Sequence, residues 1–430
     1  MNYYKRTADA LLQDLLDAFG AVLIEGPKWC GKTTTASQLA NSILRMQDPS
    51  MREEYLATAK TKPSILLKGD TPRLIDEWQD APMLWDAVRT TVDDRPIPGQ
   101  FILTGSNAVD KSQRHHSGAG RIARLRMLPM SLWESQESTG EVSLKELFNN
   151  PDYDIDGKMS KMTVEDLIFA ASRGGWPASL LARTPKAQLL VAKNYVQTIC
   201  SDDVSGIDGK KRDAKLTSMI LRAYARNVST LVKKKSLLDD VTSSGEVSCH
   251  VDTFDDYVSA LEKLFVIQNI SAWCPAIRSK TAIRSSVKRC FCDPSIPIAL
   301  LGLSPESLSM QLRTFGFIFE QMCIRDLKAY TIDLNSHVSY YHDRYDLEAD
   351  IVLHLEDGRY ALIECKLGSS EIDEGAKHLL ELKRLIQEHN KTEKQVPIRE
   401  PDLLIVMTGG TMAYSRPDGV KVIPLACLKD

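Results

Sequence analysis

The sequence lacks the features that mark secreted, zinc-binding and membrane-spanning proteins. Its nine cysteines are scattered, with no Cys-x-x-Cys pair and no His/Cys spacing suited to zinc. The longest early apolar run, Ala21–Ile24, is far too short for a signal sequence or a bilayer span. We therefore expect a cytoplasmic protein with reduced thiols and no membrane contact.

An excess of charge of one sign is also missing. The chain has 54 Lys and Arg residues against 57 Asp and Glu residues, a net charge of -3 at pH 7, and this balance does not indicate a protein that coats nucleic acid. The sequence shows no internal repeat and no low-complexity tract. The chain of 430 residues is longer than one hydrophobic core usually supports, so we expect roughly two to four domains.

What the sequence does contain is a phosphate-binding loop of the pattern Gly-x-x-x-x-Gly-Lys-Thr. The residues expected to contact ATP are Gly26, Pro27, Lys28, Trp29, Cys30, Gly31, Lys32, Thr33 and Thr34. Glycines are needed because backbone N–H groups must turn inward on the phosphates. Lys32 is expected to reach the β and γ phosphates, and Thr33 is expected to bind Mg²⁺. The helix that follows the loop points the positive end of its dipole at the phosphates. The loop predicts ATP and Mg²⁺ as cofactors.

Two further motifs follow at the ends of apolar strands. Asp76 and Glu77 end the first strand, and we expect Asp76 to hold the Mg²⁺ shell and Glu77 to polarise the attacking water. A surface strand ending in two acids is the alternative. The second strand ends in small polar residues, among which Ser106 could sense the γ phosphate. Strands alternating with helices predict a parallel α/β sheet with ligands at the carboxyl ends of its strands, in a domain spanning 1–150.

The middle of the chain is predicted to be helical. Residues 151–206 are expected to form a small helical lid over the nucleotide. Residues 207–300 contain three helical patterns and then a turn leading to Val287–Pro294. Three helices and a hairpin suggest a winged helix.

A DNA-binding role for that middle region is only partly supported by its charges. The third helix, where recognition residues would lie, begins with Asp252, Asp255 and Asp256, and these carboxylates would repel phosphates. The lysines at 233–235 belong to the second helix and could touch a phosphate backbone. We favour a spacer or communication module over a sequence reader.

The C-terminal region, residues 301–430, carries a second set of candidate residues. Asp350 begins one predicted strand, and Glu364 and Lys366 lie on one face at the end of the next. This Asp…Glu-x-Lys pattern is that of the restriction-endonuclease-like fold, in which carboxylates hold a divalent metal and the lysine orients or deprotonates water. Glu320, on the preceding helix, is a candidate additional metal ligand. A hairpin with an ordinary acidic and basic face is the alternative.

The order of these motifs resembles that of prokaryotic AAA-type ATPases with a C-terminal DUF4143 region, near the STAND and archaeal ATPase branches of the P-loop class. The resemblance rests on GPKWCGKT, LIDEWQ, FILTGSN, Gly120-Arg121 and LPMSLWE, and it spans nearly the whole chain. It implies a multidomain α/β protein: a P-loop NTPase parallel sheet with a helical lid, a winged-helix-like middle domain and a restriction-endonuclease-like α/β domain. Family members usually carry an arginine pair inside the P-loop, where this chain has Lys28-Trp29.

Two residues outside the main motifs are further candidates. Arg121 could neutralise charge on the γ phosphate, either in its own chain or from a neighbouring subunit of a homo-oligomer. The alternative is a surface arginine in a basic loop with residues 114–116 and Arg124. Pro177 ends a segment, 172–177, that resembles the loop with which STAND-type lids touch the adenine, although a helix-ending turn explains the same residues.

Three functions remain open at this point. An ATP-driven switch or motor could control a metal-dependent nuclease or a domain that binds DNA or RNA. The ATPase cycle could instead reshape the lid and middle domain to hold a protein partner. A transcriptional regulator acting through the winged helix is the third possibility. Mg²⁺-dependent cleavage of nucleic acid distinguishes the first function, and sequence-selective duplex binding would favour the third.

Overall fold

The computed structural model describes residues 3–107, 117–243, 245, 247–273, 286–392 and 397–430. Residues 114–116, part of the basic loop considered above, lie outside this set.

The N-terminal region folds around a five-stranded parallel sheet. Its strands are β1 (Ala21–Glu25), β2 (Ser42–Arg45), β3 (Arg73–Asp76), β4 (Phe101–Gly105) and β5 (Ile122–Arg126), and its helices are α1 (Ala8–Ala18), α2 (Lys32–Leu39), α3 (Arg52–Thr61) and α4 (Met83–Asp94). The strand order is β2-β3-β4-β1-β5, and every neighbouring pair is parallel. The predicted parallel α/β sheet is therefore confirmed.

Both faces of this sheet are covered, which explains the continuous apolar runs of its central strands. On one face Phe101 and Leu103 pack with Trp78 and Trp85. On the opposite face Val22 and other strand residues pack against helix α1. All parallel strands end at the same edge of the sheet, so the loops after β1, β3 and β4 are brought together there.

Helices fill the middle of the chain. They are α5 (Leu144–Asn149), α6 (Val164–Arg173), α7 (Pro177–Leu180), α8 (Pro185–Thr198), α9 (Val204–Gly206), α10 (Ala214–Arg226), α11 (Lys234–Thr242), α12 (Val251–Lys263), α13 (Ser295–Leu300) and α14 (Pro305–Ser309). Side-chain caps fix several of their starts: Thr163 and Asp166 form a capping box, and Asp213 accepts from Leu216 N. Helices α10 to α12 match the three predicted helices, and antiparallel bridges at Ile267–Phe291 and Ile270–Lys288 follow them.

The C-terminal region contains a six-stranded mixed sheet with the order β11-β12-β10-β9-β8-β7. Its strands are β7 (His337–His342), β8 (Glu348–His354), β9 (Tyr360–Lys366), β10 (Leu403–Thr408), β11 (Tyr414–Ser415) and β12 (Lys421–Pro424), and its helices are α15 (Leu312–Tyr330) and α16 (Ile372–Thr392). Strands β7, β8 and β9 are antiparallel neighbours, whereas β9, β10 and β12 run parallel. Helices α15 and α16 cover opposite faces, because Ile351 and Ile363 pack with α15 while Val352 and Leu362 pack with α16.

The N- and C-terminal regions are joined by a short strand pair. Strand β6 (Val142–Ser143) pairs in parallel with β13 (Leu428–Lys429), and Lys145 N donates to the Asp430 carbonyl at 3.0 Å. One hydrophobic core continues from Leu132 through the helical middle to the C-terminal sheet. No helix in the described segments combines the length and apolar character needed to cross a bilayer.

Candidate functional site

The loop between β1 and α2 is built around two glycines. Gly26 has φ 155°, and a Cβ there would lie 2.2 Å from the Met127 carbonyl oxygen; Gly31 has φ 102°. Both positions therefore require glycine. Lys32 is only 5% exposed, and its Nζ donates to the carbonyls of Gly26 and Pro27 at 3.0 and 2.9 Å. The lysine that is predicted to bind phosphate thus holds the curved loop together.

Asp76, at the carboxyl end of β3, lies directly beside this loop. Its Oδ1 accepts hydrogen bonds from Thr33 Oγ1 and from Thr104 Oγ1, each at 2.7 Å. The hydroxyl and the carboxylate that are predicted to share Mg²⁺ are therefore neighbours. Thr104 was not predicted, although it lies in the FILTGSN segment at the end of β4, where its side chain would be expected to face the ligand edge.

Glu77 is held in an unusual backbone conformation, with φ 55°. Its N–H donates to Thr104 Oγ1 at 3.2 Å, and its Oε2 accepts from Ser106 Oγ at 3.0 Å and from Gln79 Nε2. Non-glycine residues at positive φ are uncommon and often lie at functional sites. Polar groups from two strand ends therefore fix the orientation of this carboxylate. Gln79 belongs to the LIDEWQ motif, but its contact with Glu77 was not predicted.

A cavity of about 930 Å³ opens in front of these groups. One wall is polar and contains Lys32, Thr33, Glu77 and Ser106. The opposite wall is mostly apolar and comes from the helical middle region: Pro177, Leu181, Leu190, Val191, Ile207 and Leu264. The division into a polar phosphate side and an apolar side suits a nucleotide, and the volume falls within the range of ligand pockets, about 300–1,000 Å³.

Lys28 and Trp29 replace the arginine pair that is usual in the P-loop of the proteins this sequence resembles, and both contact the helical region. Lys28 Nζ lies 2.6 Å from Asp203 Oδ1, and the Trp29 ring lies 5.7 Å from that of Tyr195. Tyr195 also packs against Trp176 at 4.2 Å, next to Pro177. The loop and the segment 172–177 are therefore linked through one aromatic cluster.

A buried ion pair, not predicted from sequence, supports the loop from behind. Arg6 Nε lies 3.0 Å from Glu134 Oε1, while its two other nitrogens donate to the carbonyls of Cys30 and Leu128, each at 2.7 Å. Glu134 also accepts from the backbone N–H groups of Thr7 and Ser131. Glu134 was visible in the LPMSLWE motif, but its partner lies more than a hundred residues away and no local pattern indicates it.

Arg121 does not line the nucleotide cavity. It immediately precedes β5 and its carbonyl accepts from Ala21 N, so it lies at the amino edge of the sheet, opposite the P-loop. Its Nε lies 2.8 Å from Asp93 Oδ1, and its side chain is 47% exposed. The structure therefore excludes contact between Arg121 and a nucleotide in its own chain.

The C-terminal candidates Asp350 and Glu364 lie on neighbouring strands. The register pairs Ile351 with Ile363, so the two carboxylates face each other across β8 and β9, and Asp350 Oδ2 accepts from Cys365 N at 2.9 Å. Oxygens of Glu348, Asp350 and Glu364 lie within 4.8 Å of one another. Glu348 was not predicted, although its position two residues before Asp350 places it on the same face.

Glu364 is fully buried but poorly compensated. Lys366 Nζ lies 3.0 Å from its Oε2, and His378 Nδ1 lies 3.8 Å from its Oε1. Within the described segments, neither oxygen of Glu364 accepts a hydrogen bond of good geometry. Burial, together with the charge of Asp350, raises the pKa of Glu364 to about 9.

Glu320 is not a member of this carboxylate cluster. It lies on α15, and its carboxylate is paired with Lys288 of the middle region. Lys288 Nζ also lies 3.6 Å from Asp350 Oδ1 and donates to the Asp350 carbonyl at 3.0 Å. Burial raises the pKa of Glu320 to about 8. The predicted additional metal ligand is thus bound by an ammonium group, which reaches Asp350 as well.

The residues of the cluster fit a divalent cation. Three carboxylates converge, and among the described residues the buried oxygens of Glu364 accept no hydrogen bond of good geometry, which is an arrangement that a metal ion would compensate. At the P-loop, Thr33 and Asp76 supply the hydroxyl and carboxylate oxygens suited to Mg²⁺.

Fold and site together define a P-loop NTPase domain. Residues 18–136 match the family described as AAA domain, and residues 315–428 match the domain of unknown function DUF4143. The chain therefore combines an AAA-type P-loop ATPase domain with a C-terminal DUF4143 domain. A third match, to the domain of unknown function DUF8612, covers residues 164–307 and crosses the predicted boundary between lid and winged helix at 206–207.

Two mycobacterial proteins and one archaeal structure are similar to this chain. An uncharacterized protein of Mycobacterium bovis and one of Mycobacterium tuberculosis are each 24% identical over 366 residues, covering 83% of this chain and 72% of theirs. Among solved structures, a Walker-type ATPase of Pyrococcus abyssi aligns with a TM-score of 0.41 and 12% identity, over 70% of this chain and 96% of that one.

Proposed function

We propose that this protein binds and hydrolyses ATP with Mg²⁺ in the cavity between the parallel sheet and the helical region. The observation that carries the proposal is the joint placement of Thr33 and Asp76, whose oxygens are 2.7 Å apart, beside the loop that contains Lys32. Mg²⁺ bound there would neutralise charge on the β and γ phosphates.

Each side chain of the site has a distinct proposed role. Lys32 leaves its two loop carbonyls to contact the β and γ phosphates, and Glu77 accepts the proton of, or polarises, the attacking water. Ser106, which bonds Glu77, reports the presence of the γ phosphate. Pro177 and the apolar wall around it contact the adenine.

The test of this proposal is phosphate release by the purified protein with and without Mg²⁺. Lys32→Ala is expected to lose most ATP affinity because it removes the main cation on the phosphates, while Lys62→Ala, at an exposed position of the same domain, is the matched control. Equal nucleotide binding by Lys32→Ala and the unaltered protein would exclude this assignment.

We further propose that the ATPase cycle controls a restriction-endonuclease-like site formed by Asp350, Glu364 and Lys366, with Glu348 as an additional carboxylate. The helix, antiparallel hairpin and parallel strand around these residues support that fold, and their convergence supports a divalent metal centre acting on DNA or RNA. The three helices and bridged strands of the middle region support a winged-helix-like connection between the two sites. Arg121 would act, if at all, on the nucleotide of another subunit in a homo-oligomer.

One observation favours an inactive C-terminal site as the second candidate function. The Lys288 ammonium contacts Glu320 and Asp350, so it occupies part of the space in which a metal would approach these carboxylates. In that case the ATPase would drive a binding module for a protein or nucleic acid, or a transcription-regulating module, without cleavage.

Cleavage of mixed DNA and RNA, followed together with phosphate release, separates the two candidates. If the nuclease is active, Glu364→Ala abolishes Mg²⁺-dependent cleavage and leaves ATP turnover unchanged, because the two sites lie on different sheets. Glu371→Ala removes an exposed carboxylate near the same strand and should change neither activity. Absence of cleavage under every nucleotide condition would support the binding module.

A further inference from the structure

A second large cleft lies where the three regions of the chain meet. Its volume is about 740 Å³, and we call it the interdomain cleft. The sheet of the ATPase domain contributes Arg126 at the end of β5. The middle region contributes Phe254 on α12 and Arg289, which lies between the bridged residues Lys288 and Phe291, and the C-terminal domain contributes Lys328 near the end of α15.

The inner part of this cleft has an excess of positive charge. Among the described residues, Arg126, Arg289 and Lys328 have no carboxylate within ion-pair distance. Arg289 donates to neutral groups instead: its Nε and Nη2 bond the Val232 carbonyl at 3.2 and 3.1 Å, and its Nη1 bonds Tyr224 Oη at 3.3 Å.

The two carboxylates that line the cleft do not balance these cations. Asp255 is paired with Lys234 at 2.9 Å. Glu262 accepts from Asn269 Nδ2 at 3.3 Å; burial raises its pKa, while Asn269 and the charge of Arg289 oppose that rise. Arg126, Arg289 and Lys328 therefore line the cleft without forming an ion pair with any carboxylate of the described residues, although Glu25 and Glu262 act on Arg126 and Arg289 from a longer distance.

The charge of Lys328 is poorly compensated by the described residues around it. No hydrogen bond to its ammonium is present in the described segments, and burial lowers its pKa, as does the nearby charge of Arg126. Lys328 is partly buried and Arg126 is exposed. Two neighbouring cations repel each other, and an anion between them removes that repulsion. An anionic ligand would relieve both costs.

The remaining walls indicate what kind of anion fits. Phe254, Val258, Ile270 and Val338 provide apolar surface. Gln268 and Asn335 also line the cleft, where their amide nitrogens donate to the Phe265 carbonyl and to Glu356. A site with apolar walls, a few polar groups and a volume below about 1,000 Å³ is typical of small-molecule binding. Arginine and lysine together are typical of phosphate recognition.

We propose that the interdomain cleft binds a small molecule carrying a phosphate or diphosphate group, at a site separate from the ATP cavity. Because its cations come from both the ATPase and the DUF4143 domains, the ligand would stabilise contact between them.

The test measures binding of inorganic pyrophosphate, AMP and a short single-stranded oligonucleotide to the full chain by titration calorimetry. The measurements use the Lys32→Ala background, so that the P-loop contributes as little as possible. Pyrophosphate or AMP is expected to bind, and Lys328→Gln should weaken that binding roughly tenfold or more because it removes a charged hydrogen bond. Arg126→Gln should act in the same direction and serves if Lys328→Gln does not fold.

Two variants serve as controls. Lys328→Arg retains the charge and should bind within roughly twofold of the parent, and Lys211→Gln removes an exposed cation outside the cleft and should have no effect. Absence of binding, or equal binding with and without the Lys328 and Arg126 cations, would overturn the proposal. Lys328-dependent binding of the oligonucleotide without binding of either small ligand would also overturn it, because the site would then be a nucleic-acid surface.

Discussion

The P-loop site and the C-terminal carboxylate cluster differ in how their charges are compensated. At the P-loop, Lys32 is satisfied by loop carbonyls and Asp76 by two threonine hydroxyls. At the C-terminal cluster, Glu364 is buried beside Asp350 and Glu348 with one lysine as its ion-pair partner. A preorganised site costs little to keep open, whereas clustered buried charge requires a cation or a proton. The comparison suggests that the first site is complete without ligand and the second is not.

The largest expected effect sharpens the claim that the P-loop site is preorganised for hydrolysis. Glu77→Gln should slow ATP hydrolysis by roughly 10²–10⁴-fold, because the amide keeps its place beside Ser106 but cannot act as a base. ATP binding should be retained. Steady-state phosphate release and equilibrium nucleotide binding measure the two quantities, with Glu54→Gln on the exposed side of α3 as control. Unchanged turnover would remove Glu77 from its proposed role, and Asp76→Ala should instead weaken Mg²⁺-dependent binding.

The second prediction concerns the buried Arg6–Glu134 ion pair that supports the P-loop. Glu134→Gln should lower the free energy of unfolding by about 3–5 kcal/mol near pH 7, because it leaves the buried Arg6 charge unpaired. Burial raises the pKa of Glu134, but Arg6 and backbone N–H groups lower it further, so the net pKa lies below the ordinary value. The stabilisation is thus fully present above the ordinary carboxyl pKa and is lost as the pH falls below it.

Urea unfolding of both proteins at neutral pH and near pH 4 checks this sign. The difference between them should shrink at the lower pH, whereas Glu146→Gln, an exposed carboxylate, should stay within about 0.5 kcal/mol of the unaltered protein. A difference that grows on acidification would contradict the proposed pairing.

The third prediction concerns the divalent cation that we propose for the carboxylate cluster. Mg²⁺ or Mn²⁺ at about a hundred times its dissociation constant should stabilise the nucleotide-free protein by about 2.7 kcal/mol. Glu364→Gln should abolish most of this gain, because it removes one charge and one ligand oxygen, while Glu371→Gln should retain it. Thermal unfolding with and without metal provides the measurement, and equal stabilisation of Glu364→Gln would place the metal elsewhere.

The smallest effect is expected from Arg121. Since it lies at the amino edge of the sheet, Arg121→Gln should change turnover per chain less than about twofold in dilute protein, well below the roughly 10³–10⁵-fold associated with an arginine finger. A role in a homo-oligomer would appear as a loss that grows with protein concentration. A large loss at every concentration would contradict the position described above.

Local patterns could predict which P-loop residues lie together, because each of them directly follows a strand. Gly26 to Thr34, Asp76 and Ser106 each lie at the carboxyl end of an apolar run, and a parallel sheet brings such ends together. Asp350 and Glu364 were predictable for a related reason, since adjacent strands of a hairpin place them face to face. In both cases spacing along the chain fixes proximity in space.

The contacts that were missed join segments far apart in sequence. Lys288 looks like part of a short basic run, and nothing local indicates that it reaches Glu320 and Asp350. Arg6 and Glu134 are 128 residues apart, and the cations of the interdomain cleft come from three regions. Such pairs depend on how whole domains pack, which hydrophobic periodicity does not specify.

The pairing of β6 with β13 has a consequence for how the protein is made. Ser143 and Asp430, which are joined by a hydrogen bond, are 287 residues apart in sequence. At translation rates of about 5–20 residues per second, the edge at Val142 emerges roughly 15–60 s before its partner strand exists. During that interval residues 142–143 present an unpaired strand edge to chaperones and to other chains, so the pairing of β6 has to await synthesis of β13.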